Sequence, residues 1–191
     1  MGFSALKKSL LVLTVTACPA AAMAEETTWF GQTADGSWMI GGSIATMQNA
    51  ATGFSDANMI ALRLGYQFSR AVAETGSSSI EFDFATSYDE GDIGINSDFA
   101  LPGTWDADQL AIFFTYRTPG TVFFKGKIGA VQTEVKTNVA NTTTSFRDTS
   151  FGYGAGLGYR AGDRGLIELE YVGVSGDNDV GTIGVTGAVL F

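Results

Sequence analysis

Nine ionisable residues each stand among small or apolar neighbours: Arg63, Glu81, Asp83, Arg117, Lys125, Lys127, Arg160, Glu168 and Glu170. Two of the acid pairs, Glu81 with Asp83 and Glu168 with Glu170, are of the residue type that glycosidases use as acid and nucleophile. The interleaved bases favour another reading, because opposed charges enclosed together form a paired network instead of a reactive dyad. A second group, Asp89, Glu90 and Asp92, offers oxygen ligands suited to calcium or magnesium. Its spacing does not fit an EF-hand, so the expectation is weak, salt-sensitive cation binding, set against a merely solvated acidic rim. The sequence holds no histidine, and its one cysteine is Cys18. Histidine-assisted nucleophiles and zinc sites of the His or Cys kinds are therefore excluded. No phosphate-cradling glycine loop is present either, because the glycines alternate along strands instead of opening a helix. No catalytic residue, cofactor or dedicated metal site is expected.

The positions of these charges are set by elements that begin after an export signal. Lys7 and Lys8 precede an apolar run from Leu10 to Ala17, and Ala22-Met23-Ala24 offers a small-x-small cleavage site. Residues 1–24 thus read as a signal peptide and 25–191 as one mature domain. Val15-Thr16-Ala17-Cys18 also resembles a lipobox, which would instead acylate Cys18. The apolar run is about half the roughly 20 residues that a spanning helix needs. With a net charge of -9, the chain has no basic stripe for nucleic acid.

From Ser37 onward, apolar and polar or small residues alternate in segments separated by turn chemistry, the period of a strand. Ile60, Leu62, Leu64, Tyr66 and Phe68 share one face, against Ala61, Arg63, Gly65 and Gln67. The same logic runs through segments that begin near Trp38, Ile80, Gln109, Val122, Phe151, Ile167 and Ile183, giving eight strands. Thr118-Pro119-Gly120 and Ala161 to Arg164 are compact links, whereas about Asp89 to Trp105 and about Lys136 to Asp148 read as long loops. Short turns on one side and long loops on the other fit an antiparallel, up-and-down transmembrane β-barrel.

Which face meets lipid is decided by bulk and charge. The apolar face carries more Phe and Tyr than an eight-stranded lumen can hold, and none of its positions is Lys, Arg, Asp or Glu. Trp38, Tyr66, Phe68, Phe82, Tyr116, Phe124, Tyr159 and Phe191 read as an interfacial girdle near the short turns. The nine charges then face inward. On the long-loop side, Asp56, Asp89, Glu90, Asp92, Asp98, Asp106, Asp108, Asp148, Asp177 and Asp179 outnumber Lys136 and Arg147.

The run Ser150-Phe-Gly-Tyr-Gly-Ala-Gly-Leu-Gly-Tyr-Arg160, followed by a compact turn and the acidic strand Leu166 to Tyr171, resembles the small eight-stranded outer-membrane barrels of the OmpA transmembrane domain, OmpX and opacity-protein kind. Phe191, with Val189 two residues before it, is similar to the C-terminal signal read by the outer-membrane assembly machinery, although Thr186 stands where glycine is usual. The resemblance covers essentially the whole mature chain. It implies a Gram-negative outer-membrane location and contact with lipid and lipopolysaccharide. The crowded carboxylates of the long-loop side would repel lipopolysaccharide phosphates unless divalent cations bridge them, which is the weak cation binding expected at Asp89, Glu90 and Asp92. The expected role is non-enzymatic, in envelope integrity or loop-mediated surface interaction. A narrow solute pore is the alternative, followed by an outer-membrane lipoprotein or soluble lipid-binding barrel.

Overall fold

The computed structural model describes residues 28–29, 32–33, 36–49, 53–68, 76–94, 102–140, 142–175 and 180–191. The signal segment and its cleavage or acylation site lie outside them, as do Asp98, Asp177 and Asp179. The chain divides into two units, Met1–Thr33 and Ala34–Phe191. In the first, β1 (Thr28–Trp29) pairs antiparallel with β2 (Gln32–Thr33).

The second unit is a closed, all-antiparallel barrel. Its strands are β3 (Ser37–Asn49), β4 (Ala57–Gln67), β5 (Ser77–Asp89) with the short β6 (Gly91–Ile93), β7 (Gly103–Arg117), β8 (Val122–Val139), β9 (Thr142–Ala161), β10 (Gly165–Ser175) and β11 (Val180–Leu190). β5 and β6 both pair with β7, the other strands pair with their sequence neighbours, and β11 returns to β3 from Val180↔Asn49 to Leu190↔Met39. At this seam Trp38 N–H donates to Phe191 O at 3.0 Å, and Phe191 N–H to Trp38 O at 2.9 Å. Closure leaves no open sheet edge within the lipid layer, where an unpaired backbone group would be costly.

β6 continues the wall begun by β5, after an irregularity in the ladder to β7. Four residues lie between Thr86 and Gly91, where two lie between Trp105 and Asp108. The alternation places the apolar face outward, as the sequence requires. Trp38, Ile60, Phe84, Leu110, Phe114, Phe124, Tyr159, Leu169, Val185 and Phe191 are all exposed on the wall. Facing hydrocarbon, such a surface is the low-energy one, because a charge there costs about 2–4 kcal/mol at the midplane.

Two expected loops are corrected. The segment from Lys136 to Asp148 is a regular ladder, running without slip to Val139↔Thr142 and turning tightly at Ala140, whose φ is 49°. Asp89 to Trp105 is also partly strand, since β6 and the start of β7 pair within it. Both stretches rise beyond the apolar belt. With no apolar face to declare the period, Thr-rich strands such as Thr142–Ser145 look like loop in the sequence, although β-branched residues suit a sheet.

Candidate functional site: a sealed lumen with a charged middle layer

Along β8 the inward residues are Phe123, Lys125, Lys127, Gly129, Val131, Thr133 and Val135. The order is apolar, charged, then apolar, and it recurs on neighbouring strands. At the short-turn end, Met39, Phe123, Leu166, Ala188 and Leu190 form a buried cluster. At the opposite end, Met47, Ala57, Met59, Trp105, Ala107 and Val180 form another, with Phe54, Ile93 and Val135 packed against it. Trp105 anchors that upper plug by donating its indole N–H to Ser55 O at 2.9 Å.

Between the plugs lie four acids and four bases. Arg63 and Asp83 face each other across β4 and β5, with Nε–Oδ1 at 2.7 Å and Nη2–Oδ2 at 2.9 Å, a bidentate pair. The same guanidinium reaches Glu168 at 3.0 Å and also bonds Glu170. Arg117 contacts Glu81 and Glu168, each at 2.6 Å, and donates to Ser79 Oγ at 2.9 Å. Lys125 Nζ sits among Glu168 at 2.7 Å, Glu170 at 3.0 Å and Glu81 at 3.1 Å. Lys127 joins Glu170 at 3.1 Å and Asp83 at 3.3 Å, with its ammonium 4.3 Å from the centre of the Phe113 ring. Thr186 adds a hydroxyl to Glu170.

Room for these long side chains comes from β9. Its inward positions include Gly152, Gly154, Gly156 and Gly158, a bare wall. A Cβ on Gly154 would stand 3.0 Å from Lys127 Cγ, and one on Gly158 would enter the Phe123 ring. The glycine run that carries the family resemblance is thus the space into which β8 and β10 extend their charges.

Arg160 is a correction. Sequence alternation puts it inward with the network, but its guanidinium donates to Thr118 O at 3.2 Å and to Gly120 O, and lies 4.3 Å over the Phe123 ring. It therefore fastens the β7–β8 turn and pairs with no carboxylate among the described residues. Strand period fixes a side chain's face but not its reach, and Arg160 stands at the rim, nearest the turn carbonyls.

The acidic group at Asp89, Glu90 and Asp92 is not gathered into a ligand cage. Asp89 accepts from Asn58 Nδ2 at 3.2 Å, while the Asp92 backbone N–H donates to Ser55 Oγ at 2.6 Å. No group of three or more acidic, His or Cys side chains poised for a metal occurs among the described residues. Above the apolar belt, beyond Leu110, Lys136 Nζ meets Asp108 at 2.7 Å and Asp106 at 4.0 Å. Partial burial opposes the Asp108 charge, but hydrogen bonds from Lys136 and Thr86 outweigh it and hold the carboxyl below its ordinary range. Burial pushes the Asp106 carboxyl up despite Lys136, and Asp108, Glu90 and Glu134 add to the rise.

Chemically, each acid and base of the middle layer is engaged by partners of opposite charge, although Glu170 Oε2 meets Lys125 and Lys127 as ion pairs without a well-directed hydrogen bond. Above it remains a cavity of about 50 Å³ lined by Arg63, Asp83, Met59, Gln109 and Phe113 among others, room for little more than ordered water. Sequence reasoning found eight of the network's residues but missed both plugs. Met39, Met47, Met59, Trp105 and Phe123 break the polar-inward pattern, and that break was the available signal.

The fold has close counterparts. Ail of Yersinia pestis superposes with a TM-score of 0.53 at 19% identity, over 82% of this chain and 97% of that one. The N-terminal barrel domain of Pseudomonas aeruginosa OprF gives 0.57 at 11% identity, over 80% and 97%. OprG of the same organism gives 0.50 at 12%, over 82% and 96%. No curated protein sequence matches the chain. The family model described as "Outer membrane protein beta-barrel domain" matches residues 10–188. With that match spanning nearly the whole chain, and with this fold, the protein belongs to the outer-membrane-protein β-barrel domain family, whose place is the Gram-negative outer membrane.

Proposed function

We propose that the protein is a non-conducting, non-enzymatic scaffold of the outer membrane, which supports the envelope and presents its extracellular rim to partners. The observation that carries this reading is the stacking of the lumen: a neutralised charged layer between two apolar plugs. Ions would have to pass a buried Trp105 at one end and a buried Phe123 at the other, both 1% or less exposed. A catalytic role would need an acid or base free to exchange a proton with substrate, and the lumen carboxylates are held by Arg63, Arg117, Lys125 and Lys127.

The apolar wall takes outer-membrane lipid and lipopolysaccharide as its surroundings. Val189 and Phe191, both exposed on that wall at the seam, are the groups the assembly machinery would read. Divalent cations would act only as diffuse bridges at the acidic rim. Planar-bilayer recording tests the reading. The purified barrel should give no unitary conductance, and steady ohmic steps from folded protein would overturn it in favour of the narrow pore.

A further inference from the structure

The lipid-facing wall opens into a hollow where its apolar side chains run out. On β3 the outward residues climb from Trp38 through Ile40 and Ile44 to Gln48, ten residues on. At about 3.4 Å per residue and a tilt of about 40°, that climb amounts to about 26 Å, the height of an apolar belt. Gln48 therefore stands at the outer interface, level with the head region of outer-leaflet lipid.

Across the ladder Gln48 pairs with Gly181 of β11, Gly181 with Gly173 of β10, and Gly173 with Tyr153 of β9. Four adjacent strands thus set an amide, two positions without a side chain and a phenol in one row. The tyrosines lean over the glycines. A Cβ on Gly173 would stand 2.7 Å from Tyr153 Cζ, and one on Gly181 would stand 2.7 Å from Tyr171 Oη. Beside the two half-exposed rings lies a hollow of about 390 Å³, lined by Tyr153, Tyr171, Gln48, Asn49 and the backbones of Gly173 and Gly181 among others. That is the size of an ordinary small-ligand site, about 300–1,000 Å³.

A ring resting on glycine is by itself packing, since Tyr66 on Gly36 and Tyr116 on Gly76 do the same at the short-turn end. The outer pair differs in its surroundings. The Tyr153 and Tyr171 hydroxyls and the Gln48 amide have no hydrogen-bond partner among the described residues, and neither Lys nor Arg lines the hollow. We propose that this hollow is a binding site for the N-acylated amino sugar of an outer-leaflet glycolipid, the lipid A part of lipopolysaccharide, recognised through its neutral groups. Sugar hydroxyls and the amide carbonyl meet the two phenols, while the Gln48 carbonyl accepts from a sugar hydroxyl or amide N–H. The linkage region of an ester phospholipid supplies no such donor. The apolar bodies of the rings take the first carbons of the acyl chain, and their polar tips take the sugar. A phosphate would call for a cation in the lining.

This inference deepens the scaffold reading and rests on its lipid-facing wall. Barrel in nanodiscs of phosphatidylethanolamine and phosphatidylglycerol is titrated with lipid A and followed by NMR. The amide signals of Gly173 and Gly181 and the ring signals of Tyr153 and Tyr171 should shift saturably. Fully dephosphorylated lipid A should act within roughly threefold of the phosphorylated form. Gln48→Ala and Tyr171→Phe should each weaken the response by roughly five- to tenfold. The second keeps its ring on Gly181, so the wall stays packed. Tyr116→Phe, at the short-turn end, should change nothing. Absence of a saturable shift, an equal response to added phosphatidylcholine, dependence on the phosphates, or unaltered binding in both Gln48→Ala and Tyr171→Phe overturns the inference. A barrel that conducts yet shows the lipid A response loses the scaffold reading alone. A silent barrel without that response loses this site alone.

Discussion

Replacing Glu168 by Gln isolates the charged layer. Its carboxylate receives Arg117 at 2.6 Å, Lys125 at 2.7 Å and Arg63 at 3.0 Å, and its side chain is 1% exposed. The amide keeps the shape but removes one negative charge, leaving four bases against three acids where water cannot compensate. It also turns an NH2 toward a cation donor. Removing one partner of a buried ionic group typically costs about 3–5 kcal/mol. With a urea dependence of about 2 kcal/mol per molar, the unfolding midpoint should fall by roughly 1.5–2.5 M. The assay is urea titration of the barrel in lipid, followed by the heat-modifiable gel shift. Adding Arg117→Met restores three against three, so the double variant should recover part of the loss as a coupling of about 0.5–3 kcal/mol. Conductance should stay absent in both, because the Trp105 and Phe123 plugs are untouched. A single-variant midpoint within about 0.3 M of wild type, with no recovery in the double, would refute a dry, paired network.

Gly129→Ala should destabilise by about 1–3 kcal/mol, because its Cβ would run into the Ile112 carbonyl of β7, whereas Gly126→Ala has open space and should stay within about 0.5 kcal/mol in the same titration. Lys136→Ala should cost less than about 1 kcal/mol, as expected of an exposed pair with Asp108, and a loss comparable to Glu168→Gln would contradict the layered account. Asp106→Asn tests a sign: burial raises the folded carboxyl's pKa, so the folded form takes its proton more readily and wild type gains relative stability as pH falls. The variant should therefore unfold at higher urea than wild type at pH 7 and lose that advantage through the aspartate range, and a constant difference would refute it. Deleting Phe191 removes both seam bonds to Trp38 and should slow insertion into vesicles, measured by the rate at which the folded gel band appears.

The barrel itself was legible because lipid demands one face of uniform chemistry. The alternation of Ile60 to Phe68 and of Leu110 to Tyr116 marks strands, so the strand count followed from period, while the outward face and the inward charges followed from the bulk and lack of charge of the apolar side. What period does not carry is distance along the lumen axis. Phe123 and Lys125 are both inward residues of β8, yet one belongs to an apolar plug and the other to the ionic layer. Their separation becomes visible only when Met39, Leu166 and Leu190 arrive at the same level from other strands. For the same reason Arg160, inward by period, was assigned to carboxylates that it does not meet.

The extracellular rim was misread for the converse reason. Once a strand rises above the lipid, both of its faces meet water, and the contrast that made the lower strands readable disappears. Thr142 to Ser150 carries no apolar period beyond Phe146, so its strand character rests on β-branched propensity and on a register inherited from the ladder below. That inheritance has a consequence for evolution of the surface. Substitutions at outward Thr143, Ser145 or Arg147 alter side chains but leave the β8–β9 register in place. The lumen side chains can therefore stay constant while the outer ones vary, because the rim inherits its backbone register from the ladder below it, and contacts such as Arg147 with Glu134 add to that register without setting it.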